Sequence, residues 1–412
     1  MKRLLEGLRA GMHVWAPTLT GESTLLHAAL AADPERASGV SFTAMQFPGI
    51  DGNDYLALHP QARQRSIFMT AAMREGLASG RAQLLGLDYL GVQRLLREMP
   101  PFDLAVAHLS APDAQGYCSP GLASDFLPLV WPRARRRVAH INPAMPRTAG
   151  SFRVHVSELD AAVHAEQSLL TFIERGGGEI EARIGAYVAG LVRDGSTLQF
   201  GIGAIPLALA GALRGHRRLR FHAGMAASAL RTLALAGALD EDARVTTGVV
   251  LGDAALHDFA ARLPQLWMTD ISHTHSPADI AQITRFVAIN AAVEVDLFGQ
   301  VNAERVQGAI LAGAGGLMAF ALGAQASPGG RLVICLPATT AQGRISRIVP
   351  VLGDHALCTL PRSLADTVVT EHGVAELRGL TLDPRAQALI TIAAPEHRTA
   401  LAAAWNAIRR RV

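Results

Sequence analysis

A glutamate and an aspartate stand two residues apart in the segment Arg285 to Glu304, RFVAINAAVEVDLFGQVNAE, where an apolar run gives way to alternating acids and valines. The first half, with small residues at Ala288, Ala291 and Ala292, predicts a strand buried on both faces. If the chain stays extended to Leu297, Glu294 and Asp296 share one face, the valines take the other, and Gly299 turns the chain. Glu294 then lies at the edge of a core, where a carboxylate must be paired, solvated in a cleft, or used. One that is partly desolvated yet still ionised can serve as a nucleophile. The residues alone also fit, more simply, a glutamate facing water at a strand end.

Two glycine stretches offer the backbone N–H groups that a developing oxyanion or a bound anion needs. One is GAGG, Gly313 to Gly316, which by itself reads as a turn between helical pieces. The other is GIGAIP, Gly201 to Pro206, where Pro206 takes the place of the third glycine of a dinucleotide fingerprint. His273 and His275, in SHTHS, have no third metal ligand in evidence and fit a structural or solvent-facing pair. No GxSxG elbow accompanies them.

The elements that must position these residues alternate strand and helix, the grammar of parallel sheets covered by helices. In the first half, HVWAPTL and SGVSFTAMQF read as strands around the helix GESTLLHAALAA, which Ser23 caps. A helix near Tyr89 to Met99 and the strand DLAVAHLS follow. That strand delivers APDAQGYCS, with Gly116 and Tyr117, to the strand ends where open α/β sheets keep ligand sites. RVAHIN is another strand, and DAAVHAEQSLLTF reads as helical. Three glycines in ERGGGE, Glu174 to Glu179, form the best linker. They divide an N-terminal domain, 1–175, from a C-terminal domain, 180–412. The second half repeats the grammar, with strands at STLQFGIG, RVTTGVVLG, RFVAINAA, RLVICLP and HALCTLP. Helices are expected at EARIGAYVAGLV, at IPLALAGALRG, near Asp383 to Ala393 and near the carboxyl terminus.

Half of the 412 residues are hydrophobic and 18% are charged, a composition that supports two cores and excludes a disordered chain. A net charge of +3 and a pI near 9.0 give no argument for nucleic acid. The basic run at Arg133, Arg135, Arg136 and Arg137 reads as a solvated approach to a strand. No apolar segment reaches about 18 residues and no signal-peptide core is recognisable, so a cytoplasmic protein without membrane association is expected. Cys118, Cys335 and Cys358 are widely spaced and form no CxxC pair, which fits free thiols and no metal cluster.

INAAVEVDLFGQVNAE resembles the glutamate-bearing signature of the acetyl-CoA hydrolase/transferase family, the class I CoA-transferases that include 4-hydroxybutyrate CoA-transferase. The resemblance extends along the chain through SAPDAQGYCS, NPAMPRTAG, TLQFGIGAIP, GRISRIVP and VTEHGVAELRG. It implies two related open α/β lobes with mostly parallel sheets, the active site in the cleft between them, and a homodimer or higher homo-oligomer. It implies coenzyme A, carried as acyl-CoA, and a carboxylic acid as substrates, with no metal. Glu294 falls on the family's catalytic glutamate, which attacks an acyl thioester and carries CoA as a glutamyl thioester. Gly313, Gly315, Gly316, Gly201 and Gly203 fall on oxyanion or CoA-binding loops. His222, Met225, Asn290, Gln300, Gly116 and Tyr117 fall in the pocket.

The chain departs from the family pattern close to that site. Where relatives usually read H-T-E-M followed by S-D-G, it has His222, Ala223, Gly224, Met225 and then Ala227, Ser228, Ala229. Where they read G-G-Q-x-D-F with an arginine after it, it has Gly315, Gly316, Leu317, Met318, Ala319, Phe320 and Leu322. Three functions stay open at this level: a CoA-transferase with a more apolar pocket, an acyl-CoA hydrolase, and a non-catalytic CoA-binding subunit. Acetate, butyrate, hydroxybutyrate, succinate and branched dicarboxylates such as itaconate all remain candidate acids.

Overall fold

A computed structural model describes residues 5–150, 152–340 and 343–411. Two open sheets organise them. The first has seven strands in the order Ala82–Leu84, Arg63–Ser66, Ser41–Thr43, His13–Trp15, Leu104–Leu109, Arg137–Ile141, Ala161–His164. Every neighbouring pair is parallel. The second has eight, in the order Leu266–Met268, Val245–Thr247, Arg220–His222, Thr197–Gln199, Phe286–Ala291, Arg331–Cys335, Thr367–Thr370, Gly373–Glu376. Here only the last pair is antiparallel.

The winding is the same in both. The first strand laid down sits in the middle, the next three step outward on one side, and the chain returns to lay the fifth against the other side of the first. Doubly wound sheets of this kind place their ligand crevice at the carboxyl ends of the strands, beside the reversal. The middle strands carry the apolar runs that such burial demands. Leu104–Leu109 is buried at every position, and Phe286–Ala291 at its first four.

Three expectations are corrected. DAAVHAEQSLLTF is not helical: Ala161–His164 forms the edge strand of the first sheet, and residues 165–178 run without regular structure. Alanine-rich sequence fits a helix by propensity, but here strand pairing decides. HALCTLP forms no strand and makes only an isolated bridge from Leu360 to Val301. Ser23 precedes the helix Thr24–Ala32 without capping it through its side chain, because its hydroxyl lies 3.0 Å from His140 Nδ1.

Backbone hydrogen bonds join the two halves. Val250 N donates to Leu122 O, Ser124 N to Gly248 O, Met268 N to Ala149 O and Tyr89 N to Gly315 O, at 2.8 to 3.0 Å. No helix among the described residues is long and apolar enough to cross a membrane.

Candidate active site

The strand Phe286–Ala291 stops short of the two acids. Ala292 and Val293 bend the chain, and Glu294–Asp296 becomes the middle strand of a separate small sheet. It lies antiparallel to Val301–Asn302 and parallel to Ile348–Val349. Gly299, at φ +91°, makes the connecting turn, as only a residue without a Cβ does readily.

The two carboxylates of this strand meet opposite environments. Asp296 is fully buried and accepts from four donors: Phe298 N at 3.1 Å, Gln300 N at 2.8 Å, Gln300 Nε2 at 2.7 Å and Leu352 N at 3.3 Å. Its lone pairs are committed to the turn. Glu294 is 8% exposed, and Oε1 accepts from Asn302 Nδ2 at 2.9 Å. Its other oxygen lies 3.9 Å from His355 Nε2, on a half-exposed ring. Register sets the first contact, since Glu294 and Asn302 are direct cross-strand partners. The Asn302 amide is oriented by its own backbone bonds: its oxygen accepts from Glu304 N and Arg305 N, so its NH₂ group faces Glu294. Glu294 thus keeps lone pairs free at the end of a rigid strand, as a nucleophile requires.

A cavity of about 200 Å³ opens between the two lobes. Leu19, Phe47, Tyr89 and Asp125 line it from the first; Gln199, Phe200, Gly201, Met225, His275, Asn290, Gly315, Gly316 and Phe320 are among those lining it from the second. Five of the residues expected in the site therefore come together here: Gly201, Met225, Asn290, Gly315 and Gly316. Glu294 follows Asn290 by four residues along the same chain segment and is not itself a wall residue. Gly313 packs on the first lobe so closely that a Cβ would stand 2.1 Å from Ile67 O. Among the described residues, the N–H groups of Gly313, Ala314, Gly315 and Gly316 donate to no protein acceptor.

The remaining expected residues lie elsewhere. Gly203 N donates to Glu174 Oε1 at 2.9 Å, and Ser228 N donates to Oε2 of the same side chain at 2.9 Å. The anion at those two helix starts is thus the protein's own glutamate. His222 is buried behind the wall, with Nε2 3.1 Å from Thr274 O, and burial lowers its pKa. Gln300 is held by Asp296. Gly116 and Tyr117 belong to a turn packed on His155 and Arg153. Among the described residues, no group of three or more His, Cys, Asp or Glu side chains is placed to hold a metal.

Tyr89, Asp125, His275 and Asn302 were not singled out from the sequence as site residues. The sequence groups His275 with His273 as a structural or solvent-facing pair; of the two, only His273 is exposed. The His275 ring is buried against Tyr89 and Phe320, with centroids 4.3 and 4.7 Å away, and desolvation lowers its pKa to about 3. It also accounts for a departure from the family pattern. A Cβ on Gly224, where relatives usually carry glutamate, would stand 2.4 Å from His275 Cε1. Asp125 is buried beside Asp270, and desolvation first, then that neighbour, raises its pKa to about 8. The only sequence signal for Asn302 was the turn at Gly299, which sets the register opposite Glu294.

Residues 2–174 match the acetyl-CoA hydrolase/transferase N-terminal domain and residues 252–405 the C-terminal domain of the same family. A 4-hydroxybutyrate coenzyme A transferase of Clostridium kluyveri is 34% identical over 92% of this chain and 90% of its own. A succinyl-CoA:cyclohexane-1-carboxylate CoA transferase of Geobacter metallireducens is 33% identical over 98% and 93%. Among solved structures, RipA from Yersinia pestis superposes with a TM-score of 0.90 at 27% identity, covering 99% of this chain and 96% of that one. A 4-hydroxybutyrate CoA-transferase from Porphyromonas gingivalis gives 0.83 at 29% identity, covering 100% and 96%. The chain belongs to the acetyl-CoA hydrolase/transferase family.

Proposed function

We propose that the chain moves CoA between an acyl-CoA and a short-chain carboxylic acid by a ping-pong mechanism through a glutamyl-CoA thioester on Glu294. Acyl-CoA:carboxylate CoA transfer is the activity for which its full-length relatives are named, and it is the activity of this enzyme. The covalent route and the residues are our reading. The observation that carries it is the buried Glu294 carboxylate, which receives one neutral hydrogen bond, from Asn302, while Asp296 two residues away receives four.

Glu294 attacks the thioester carbonyl, giving an acyl-glutamyl anhydride and CoA thiolate. The thiolate attacks the glutamyl carbonyl, forming the enzyme thioester and releasing the first acid. A second carboxylate then attacks that thioester, the thiolate leaves and re-attacks the acyl carbonyl of the new anhydride, and Glu294 is freed. Each attack develops an oxyanion, for which the unpartnered N–H groups from Gly313 to Gly316 are the donors. Asn302 holds one oxygen of Glu294 and leaves the other to attack. Gly201, Met225 and Asn290 belong to the wall around the acyl group. His222 supports that wall from behind, through Thr274.

The reading also divides the chain into units 1–175 and 180–412 and takes the working form as a homodimer or higher homo-oligomer; a monomeric mass in light scattering at micromolar concentration would contradict the assembly. Exchange of labelled CoA between acetyl-CoA and a panel of acids, followed by chromatography, tests the reaction. Exchange is expected with at least one acid. Release of free CoA at the same rate without any acid would replace transfer by hydrolysis. CoA binding with neither reaction would leave a binding subunit.

A further inference from the structure

The wall of the inter-lobe cavity has a chemistry that CoA transfer itself does not demand. Leu19, Phe47, Phe200, Met225, Val249 and Phe320 give it an apolar lining. The polar groups that interrupt this surface carry no charge. Asn290 Nδ2 donates to Gln199 Oε1 at 2.9 Å, so the two amides engage each other. His275 has its Nδ1 2.9 Å from Thr274 Oγ1 and stays neutral, with a pKa of about 3. Asp125, with its pKa raised to about 8, holds its proton at neutral pH. Neither arginine nor lysine occurs among the described residues that line the space.

We infer that this cavity is the acyl pocket and that it takes the ring-sized or branched hydrocarbon body of a monocarboxylic acid, rejecting acids that carry a second carboxylate. The inference rests on the transferase reading for the identity of the site and goes beyond it in naming the class of acid. The size fits: a dry apolar cavity of about 150 Å³ accepts benzene, and this one is somewhat larger. An acetyl group would leave most of it unfilled. Each additional buried methylene contributes about fourfold in affinity, so filling the space with a five- or six-carbon ring gives about 100-fold over acetate even if part of the gain is lost. The second carboxylate of succinate would lose part of its hydration against Phe, Met and Val side chains with no cation to meet it, a cost that no contact in the lining offsets. The His275 ring keeps this wall closed. Gly224 and Gly316 lack the side chains that would collide with it, at 2.4 Å in each case.

The test has two arms. In the first, wild-type enzyme with acetyl-CoA as donor is given benzoate, cyclopentanecarboxylate, acetate, succinate and glutarate, and kcat/KM is measured for each. The ring acids are expected to exceed succinate and glutarate by about 100-fold or more. Equal or better rates with the dicarboxylates would overturn the inference while leaving the transferase reading intact. In the second arm, calorimetry measures binding of benzoyl-CoA and succinyl-CoA to the Glu294→Ala protein, which cannot turn them over. Benzoyl-CoA is expected to bind at least about tenfold tighter. If no acid supports exchange, the transferase reading falls and this arm alone decides the pocket: tighter benzoyl-CoA sustains it, and equal or tighter succinyl-CoA removes it. Met225→Arg adds a cation to the wall and should narrow the ring-acid preference by about tenfold; an unchanged ratio in the folded variant places the acyl group elsewhere and overturns the assignment.

Discussion

The fifth strand of each sheet, Leu104–Leu109 in the first and Phe286–Ala291 in the second, lies beside that sheet's first strand and ends in an excursion that carries an acid. In the first lobe the acid is Asp113. It accepts from Tyr117 N at 2.8 Å and Gln115 N at 3.1 Å and pairs with Arg147 at 3.3 Å. The Tyr117 N–H foremost holds its carboxyl below the usual range. In the second lobe the acid is Glu294, buried and bonded to one neutral amide. The same scaffold position thus holds a turn that is complete in itself and a carboxylate with bonding capacity to spare. Topology brings both acids to a strand end; how many donors its own loop supplies decides how much of each carboxylate is left uncommitted.

The largest effects should follow that division. Glu294→Ala is expected to lower exchange by about 10³-fold or more with little change in acyl-CoA affinity, because the carboxylate serves the covalent step alone. Asp113→Ala should leave kcat within about threefold, since its partners are local. Steady-state kinetics on both variants would break the comparison if the losses were similar.

Within the second excursion, Asp296→Ala should act on stability. It strips four donors of their acceptor at a fully buried position, a loss of about 3 kcal/mol in denaturant unfolding. Asn302→Ala should act on catalysis, lowering kcat by about 10- to 100-fold through loss of the orienting bond. A kcat change with a normal unfolding midpoint would separate it from Asp296→Ala.

The smallest effect expected is on pH dependence. Asp125 and Asp51 have folded pKa values raised to about 8 and about 7, chiefly by burial, so the folded state keeps protons that the unfolded chain has released. Their effect is a loss of stability as pH rises from about 4 to 8. His108 and His275, lowered to about 3 by burial, act oppositely, with stability rising up to about pH 6.5 and constant beyond it. Between pH 6.5 and 8.5 only the acids remain, and Tm should fall by about 3 °C. In Asp125→Asn the fall should be shallower, leaving the part due to Asp51.

Much of the scaffold was legible because buried parallel strands have an unambiguous composition. VAINA and LAVAHL could be little else, and Gly299 marked its turn by the need for positive φ. The helix expected at DAAVHAEQSLLTF gives way to a strand where alanine propensity competes with edge pairing, a contact 23 residues away in sequence. Glu294 was visible as an acid at the end of an apolar run, and the family motif made it specific. Its distinction from Asp296 was not visible, because both fit the same alternation and only the register with Asn302 and Gln300 separates them. Tyr89, Asp125 and His275 were hidden for another reason. They line a space formed by contact between lobes, and no local pattern of Tyr, Asp or His records what the other lobe brings.

The covalent role of Glu294 is tested most directly by trapping. Enzyme incubated with acyl-CoA and no acceptor acid, then reduced with borohydride, is digested and mapped by mass spectrometry. A glutamyl thioester is reduced to the alcohol while free carboxylates are untouched, so the expected result is loss of activity with a single modified residue, Glu294. Inactivation mapped to another residue, or unmodified Glu294 in enzyme that still exchanges CoA, would contradict the covalent route.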